Sequence, residues 1–123
     1  MLLTLRGVAP MMEQLQRMAV SLPLRSCASK PGRHRVHYSV VTRTELFAVN
    51  AAIDLCSRLL ASFPELSVDR VVAERAGRIA REFGTRIPDA LIAATAIEHK
   101  LSIVTQNRKH FEPIRGVRVR SLR

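Results

Sequence analysis

Residues 87–105 read IPDALIAATAIEHKLSIVT, and this stretch decides the fold class. Pro88 suits the first turn of a helix, where a missing N–H costs nothing. From Ala90 to Ile97 the residues are apolar on nearly every side, so the helix they form has to be covered on most sides. Leu101 to Thr105 then has the short, β-branched character of a strand. A helix without a polar face that runs directly into an apolar strand belongs at the centre of a parallel sheet, where both faces are covered.

The same alternation extends to either side. Upstream, Asp69 is placed as the N-cap of a helix from Arg70 to Phe83. Val72, Ala76, Ile79, Ala80 and Phe83 line one side of that helix, and Gly84 stands where a left-handed C′ residue is wanted. Val36 to Val41 (VHYSVV) reads as a strand. Thr42 and Glu45 have the spacing of a capping box, which predicts a helix from Thr42 to about Ser62, stopped by Phe63-Pro64. Leu66–Val68 and Val117–Val119 are candidate short strands, and Asn107–Phe111 is a short connection. Strands alternating with helices predict a single α/β domain: a parallel sheet flanked by helices in three layers, α/β/α.

The first 35 residues read differently. Met11, Leu15, Met18 and Leu22 share one helical face, Pro23 ends that helix, and Arg25–Arg35 is a basic loop containing Pro31-Gly32. The chain is therefore divided into an atypical N-terminal helix and loop, 1–35, and a domain body, 36–123.

At 123 residues and 47% hydrophobic, the chain has the apolar content for one core, which excludes wholesale disorder. Lys and Arg number 20 against 10 Asp and Glu, a net charge of +10 that favours a polyanionic partner, nucleic acid first. The surplus sits at the ends: residues 41–80 are neutral, while 1–40 and 81–123 each carry +5. Cys27 and Cys56 form no CxxC motif and are read as free thiols of a reducing cytoplasm. No stretch approaches the roughly 20 apolar residues of a membrane span, so no membrane partner is expected.

Ligands of open parallel sheets bind beyond the carboxyl ends of the strands. Glu45, Asp89 and Asn107 fall there, two carboxylates and an amide of the kind that hold Mg²⁺ or Mn²⁺. Each acid also has a plain structural reading, Glu45 in the capping box and Asp89 in favourable register with its helix dipole.

Three stretches resemble successive motifs of PIN-domain nucleases, most nearly the VapC-type ribonuclease toxins of bacterial toxin–antitoxin pairs. They are Ser39-Val40-Val41-Thr42-Arg43-Thr44-Glu45-Leu46, Ile87-Pro88-Asp89-Ala90-Leu91-Ile92-Ala93-Ala94-Thr95-Ala96, and Ile103-Val104-Thr105-Gln106-Asn107-Arg108-Lys109-His110-Phe111. The resemblance covers roughly residues 36–120. It implies an α/β/α fold, a Mg²⁺- or Mn²⁺-dependent site of clustered acids, cleavage of RNA, a homodimer and a small cognate antitoxin. Carried over by position, Glu45 and Asp89 become metal ligands and catalytic residues, while Thr42, Thr105, Asn107 and His110 edge the site. His110 stands where the family often has an Asp. Arg43, Arg86, Arg108 and Lys109 are candidates for the RNA backbone.

One departure is large. The family opens with a strand running into an Asp, within Leu-x-Asp-Thr/Ser, and here no Asp precedes Asp54. Leu2–Gly7 is read instead as the end of a helix, so the first strand and its Asp are expected to be missing, through a misplaced start codon, a frameshift or decay. Two further readings compete with an active endoribonuclease. One is a catalytically impaired protein that only binds RNA or an antitoxin. The other is a metal-free ribonuclease using His34 and His37.

Overall fold

The computed structural model describes residues 2–3, 36–48, 53–61, 63–105 and 108–120. The helix expected over Pro10–Leu22, the basic loop, Cys27, His34 and Asn107 lie outside them.

Among the described residues, five strands form one parallel sheet: β1 (Leu2–Leu3), β2 (His37–Ser39), β3 (Glu65–Leu66), β4 (Ile103–Val104) and β5 (Val119–Arg120). Their order is β3-β2-β1-β4-β5, which confirms the parallel α/β prediction. It also corrects the expectation that the first strand is missing. Leu2 and Leu3 occupy the centre of the sheet, paired with His37 and Tyr38 on one side and with Ile103 and Val104 on the other. The reason is non-local. Two residues have no periodicity to display, and this strand exists because both its edges find parallel partners.

Helices α1 (Val40–Ala48) and α2 (Ile53–Leu60) follow β2, and α3 (Arg70–Phe83) and α4 (Ile87–Glu98) follow β3. Of the helix expected over 42–62, the described residues show the helical stretches Val40–Ala48 and Ile53–Leu60. The first starts earlier than the capping box predicts, because the Ser39 hydroxyl accepts from the Val41 N–H at 3.2 Å and caps the helix there. Thr42 and Glu45 consequently lie inside α1. By contrast, α3 starts and stops as predicted: Asp69 accepts from Val72 N at 2.9 Å, and Gly84 is left-handed with φ 63°.

The core is mainly aliphatic, with Tyr38, Phe63 and Phe111 as its buried aromatics. Val72, Ala76 and Ile79 of α3 pack on Ala90, Ala93, Ala94 and Ala96 of α4, joined by Ile103, Phe111 and Ile114. The four alanines are fully buried, and their small side chains let α3 and the sheet approach α4 closely. Among the described residues, no helix is long and apolar enough to cross a membrane.

This topology places the site. From β1 the chain steps to β2 and β3 on one side, then crosses back to β4 on the other. The direction reverses between β1 and β4, and the crevice beyond their carboxyl ends is where such sheets bind ligands.

Candidate active site

Four segments reach this carboxyl edge. The N-terminus of α1 leaves β2 there, α4 begins there before descending into β4, and β4 ends there at Thr105. A 3₁₀ turn, Arg108–His110, completes the edge. Helices α1 and α4 touch one another, which brings the elements carrying Glu45 and Asp89 side by side.

Asp89 is the third residue of α4, where unsatisfied backbone N–H groups and the helix dipole favour a negative charge. It is also almost fully enclosed, at 1% exposure, a costly position for a carboxylate without charge partners. One partner is His110, whose Nδ1 lies 3.3 Å from Asp89 Oδ2. Phe111 explains how His110 arrives there. Its ring is 1% exposed in the core, and the turn around it closes through Phe111 N and Glu112 N donating to the Arg108 carbonyl at 3.0 and 2.9 Å. Anchoring the ring leaves the preceding imidazole half in solvent and against Asp89.

Glu45 is half-buried on α1, and its Oε2 atom is enclosed. Thr42 and Thr105 are buried at 0% and 4% exposure, hydroxyls set into the wall of the edge. Ser39 is a residue the sequence reading did not single out. It is fully buried and fixes the start of α1, and a Ser at a strand-to-helix junction is the signal that could have identified it.

The candidate cationic residues do not behave alike. Arg43 is committed to the fold: its Nε donates to Glu65 Oε2 and its Nη2 to the Tyr38 hydroxyl, both at 2.6 Å. Tyr38 in turn donates to Glu65 Oε2 at 2.7 Å. Burial, then the Glu65 bond, raises the Tyr38 pKa; the bonds from Tyr38 and then Arg43 hold Glu65 below the usual carboxylate range. Arg108 pairs with Glu112 at 2.9 Å in the open, a contact worth little by itself. Arg86, at the N-cap of α4, and Lys109 are exposed near the edge.

Among the described residues, no three His, Cys, Asp or Glu side chains gather into a ready-made metal cage. The donors that are assembled are a buried carboxylate and an imidazole, with a second carboxylate on the adjoining helix. Carboxylates and imidazole are donors of the chemical kind that divalent cations take.

A parallel α/β/α domain with an enclosed acid near its topological switch point belongs to the class of open-sheet α/β proteins, whose ligands bind at the carboxyl edge. The family follows from comparison. The PIN domain model matches residues 30–116, and the chain belongs to this family of nucleases. No curated protein matches the chain. Among solved structures it is similar to a toxin–antitoxin complex from Klebsiella pneumoniae, with 25% identity over 94% of this chain and 93% of that chain, TM-score 0.63. It is also similar to DNA-bound VapBC from Salmonella typhimurium, with 20% identity, 98% and 96% coverage and TM-score 0.74. A third relative is VapBC-5 of Mycobacterium tuberculosis, from the VapBC family of toxin–antitoxin systems, with 31% identity, 72% and 82% coverage and TM-score 0.51.

Proposed function

We propose that this chain is the toxin component of a type II toxin–antitoxin system, a cytoplasmic, divalent-metal-dependent endoribonuclease. The observation that carries the reading is Asp89, an enclosed carboxylate at the mouth of α4 in a PIN fold. Glu45 and Asp89 would hold Mg²⁺ or Mn²⁺. Bound there, the cation supplies positive charge to the scissile phosphate and acidifies an attacking water.

The rest is the work of the chain's own side chains. Thr42 and Thr105 are buried beside this edge and serve its frame. Arg86 and Lys109 are exposed where an RNA backbone would approach, and the net charge of +10 attracts it at long range. Arg43 holds α1, and with it Glu45, against β2 and β3. A homodimer and a small cognate antitoxin are the partners this reading expects; the toxin–antitoxin assemblies among its structural relatives support the second.

The impaired-binder reading has one observation in its favour. The residue after β1 is Thr4, in the position where the family resemblance expects an Asp. Cleavage of a structured RNA by the full chain, assayed with Mn²⁺, with Mg²⁺ and with chelator, separates the two. Metal-dependent cleavage lost in Asp89→Ala supports the nuclease. RNA or antitoxin binding without cleavage under either metal overturns it in favour of the binder.

A further inference from the structure

We propose that the amino edge of the sheet, at the opposite end from Asp89, is a second contact surface for RNA, where Lys100, Arg115 and Arg118 meet its phosphate backbone. This surface presupposes RNA as the substrate, as read above. Lys100 follows α4 and leads towards β4, while Arg118 immediately precedes β5, its Nη2 lying 3.5 Å from the Lys100 carbonyl oxygen. Arg115 belongs to the turn before β5, closed by Val117 N donating to the Ile114 carbonyl at 3.4 Å. Gly116 in that turn sits beside the Ile97 side chain, in the last turn of α4. The three cations are therefore neighbours, and all three are exposed. The run Leu101–Thr105, at about 3.3 Å per residue, sets them roughly 15 Å from the carboxyl edge.

These charges are uncompensated. The nearby acids are taken, Glu98 by Arg75 and Glu112 by Arg108, and among the described residues no carboxylate pairs with Lys100, Arg115 or Arg118. The outer face of α3 is different: Glu74 lies four residues from both Arg70 and Arg78, so the two signs alternate there as on an ordinary solvated helix. A dipole favours one cation at the end of α4, but Arg115 and Arg118 lie on a turn and a strand approach. Lys100 supplies a second observation. Its φ is 56°, and Lys100 N donates to Ile97 O at 3.2 Å while Leu101 N donates to Ala96 O at 2.8 Å, the closure in which Gly is favoured. Gly84 fills the corresponding place after α3. A Lys there carries backbone strain that Gly would relieve, and strain of this kind marks a side chain with a use. A phosphate backbone fits the surface better than a protein does. Protein interfaces are built around apolar and aromatic centres, and the exposed large hydrophobics Phe47, Val71 and Ile87 lie on α1 and at the starts of α3 and α4.

The test measures binding of the full chain to a stem–loop RNA in chelator, over a range of salt. Wild type is compared with Lys100→Gly, with the triple variant Lys100→Gly/Arg115→Ser/Arg118→Ser, and with Arg70→Ser/Arg78→Ser/Arg81→Ser, which removes the same net charge from α3. The amino-edge triple variant is expected to bind about tenfold or more weakly and to flatten the log–log salt slope by about 2–3, with a much smaller effect from the α3 variant. Lys100→Gly alone should weaken binding while raising Tm, which separates the lost charge from any loss of fold. In cleavage with Mn²⁺, the triple variant should raise KM and leave kcat unchanged. Binding unaltered in the triple variant, or lowered equally by the α3 variant, overturns the proposal, since the charge then acts only as solvated surface or at long range. If poly-glutamate displaces the labelled RNA as effectively as unlabelled stem–loop does, the surface takes acidic protein chains and the RNA assignment is overturned. The nuclease reading is judged separately, by metal-dependent cleavage lost in Asp89→Ala.

Discussion

Removing the charge of Glu65 tests how firmly the helix bearing Glu45 is held. Glu65 on edge strand β3 accepts from both the Tyr38 hydroxyl and Arg43, tying β3, β2 and α1 together. In Glu65→Gln the amide oxygen still accepts but the charge is gone. The Arg43–Glu65 pair is about one-third exposed on each side, so solvent screening limits its loss to at most about 1 kcal/mol. The Tyr38 bond weakens from a charged to a neutral acceptor, a further loss of about 1 kcal/mol because that hydroxyl sits on a buried ring. Together these predict a destabilisation of about 1–2 kcal/mol near neutral pH, several degrees in Tm.

The effect carries its own pH signature. The native environment lowers the Glu65 pKa below its ordinary 4.5, so its charge stabilises the fold fully above that value. That contribution disappears as pH falls through the lower native value, where protonated Glu and Gln become equivalent. Urea denaturation of wild type and Glu65→Gln from about pH 7 down to about pH 3 is the assay, with stability extrapolated at each pH. The gap should be largest at neutral pH and close in acid. A gap that is constant or widens on acidification would refute the ion-pair account and leave only a packing difference.

Two further substitutions probe the frame under the site. Asp69→Ala removes the cap on α3 and should cost about 1 kcal/mol in the same denaturation assay, with Asp69→Asn recovering most of it. Ile92→Ala, at a position 1% exposed in the middle of α4, should cost about 2–5 kcal/mol. A loss under about 1 kcal/mol would mean that the α3–α4 layer closes over the cavity.

The sequence by itself determined α3 and α4: the Asp69 cap, the left-handed Gly84, Pro88 in the first turn and the buried alanine run are local signals, complete within a few residues. It also located Asp89, because a polar residue at the mouth of an apolar helix stands out in one dimension. Tertiary structure decided the rest. Leu2–Leu3 is a strand only because β2 and β4 pair with both its edges, and α1 begins at Val40 because Ser39, at the end of β2, caps it ahead of the Thr42–Glu45 box. Arg43, which reads as an RNA contact, is drawn into the fold by a Glu 22 residues away. His110 reaches Asp89 because Phe111 is buried in a core assembled from α3, α4 and β4. Caps and turns depend on neighbours in sequence; strand pairing and ion pairs such as Arg43–Glu65 and His110–Asp89 depend on chain closure over tens of residues, which no local pattern encodes.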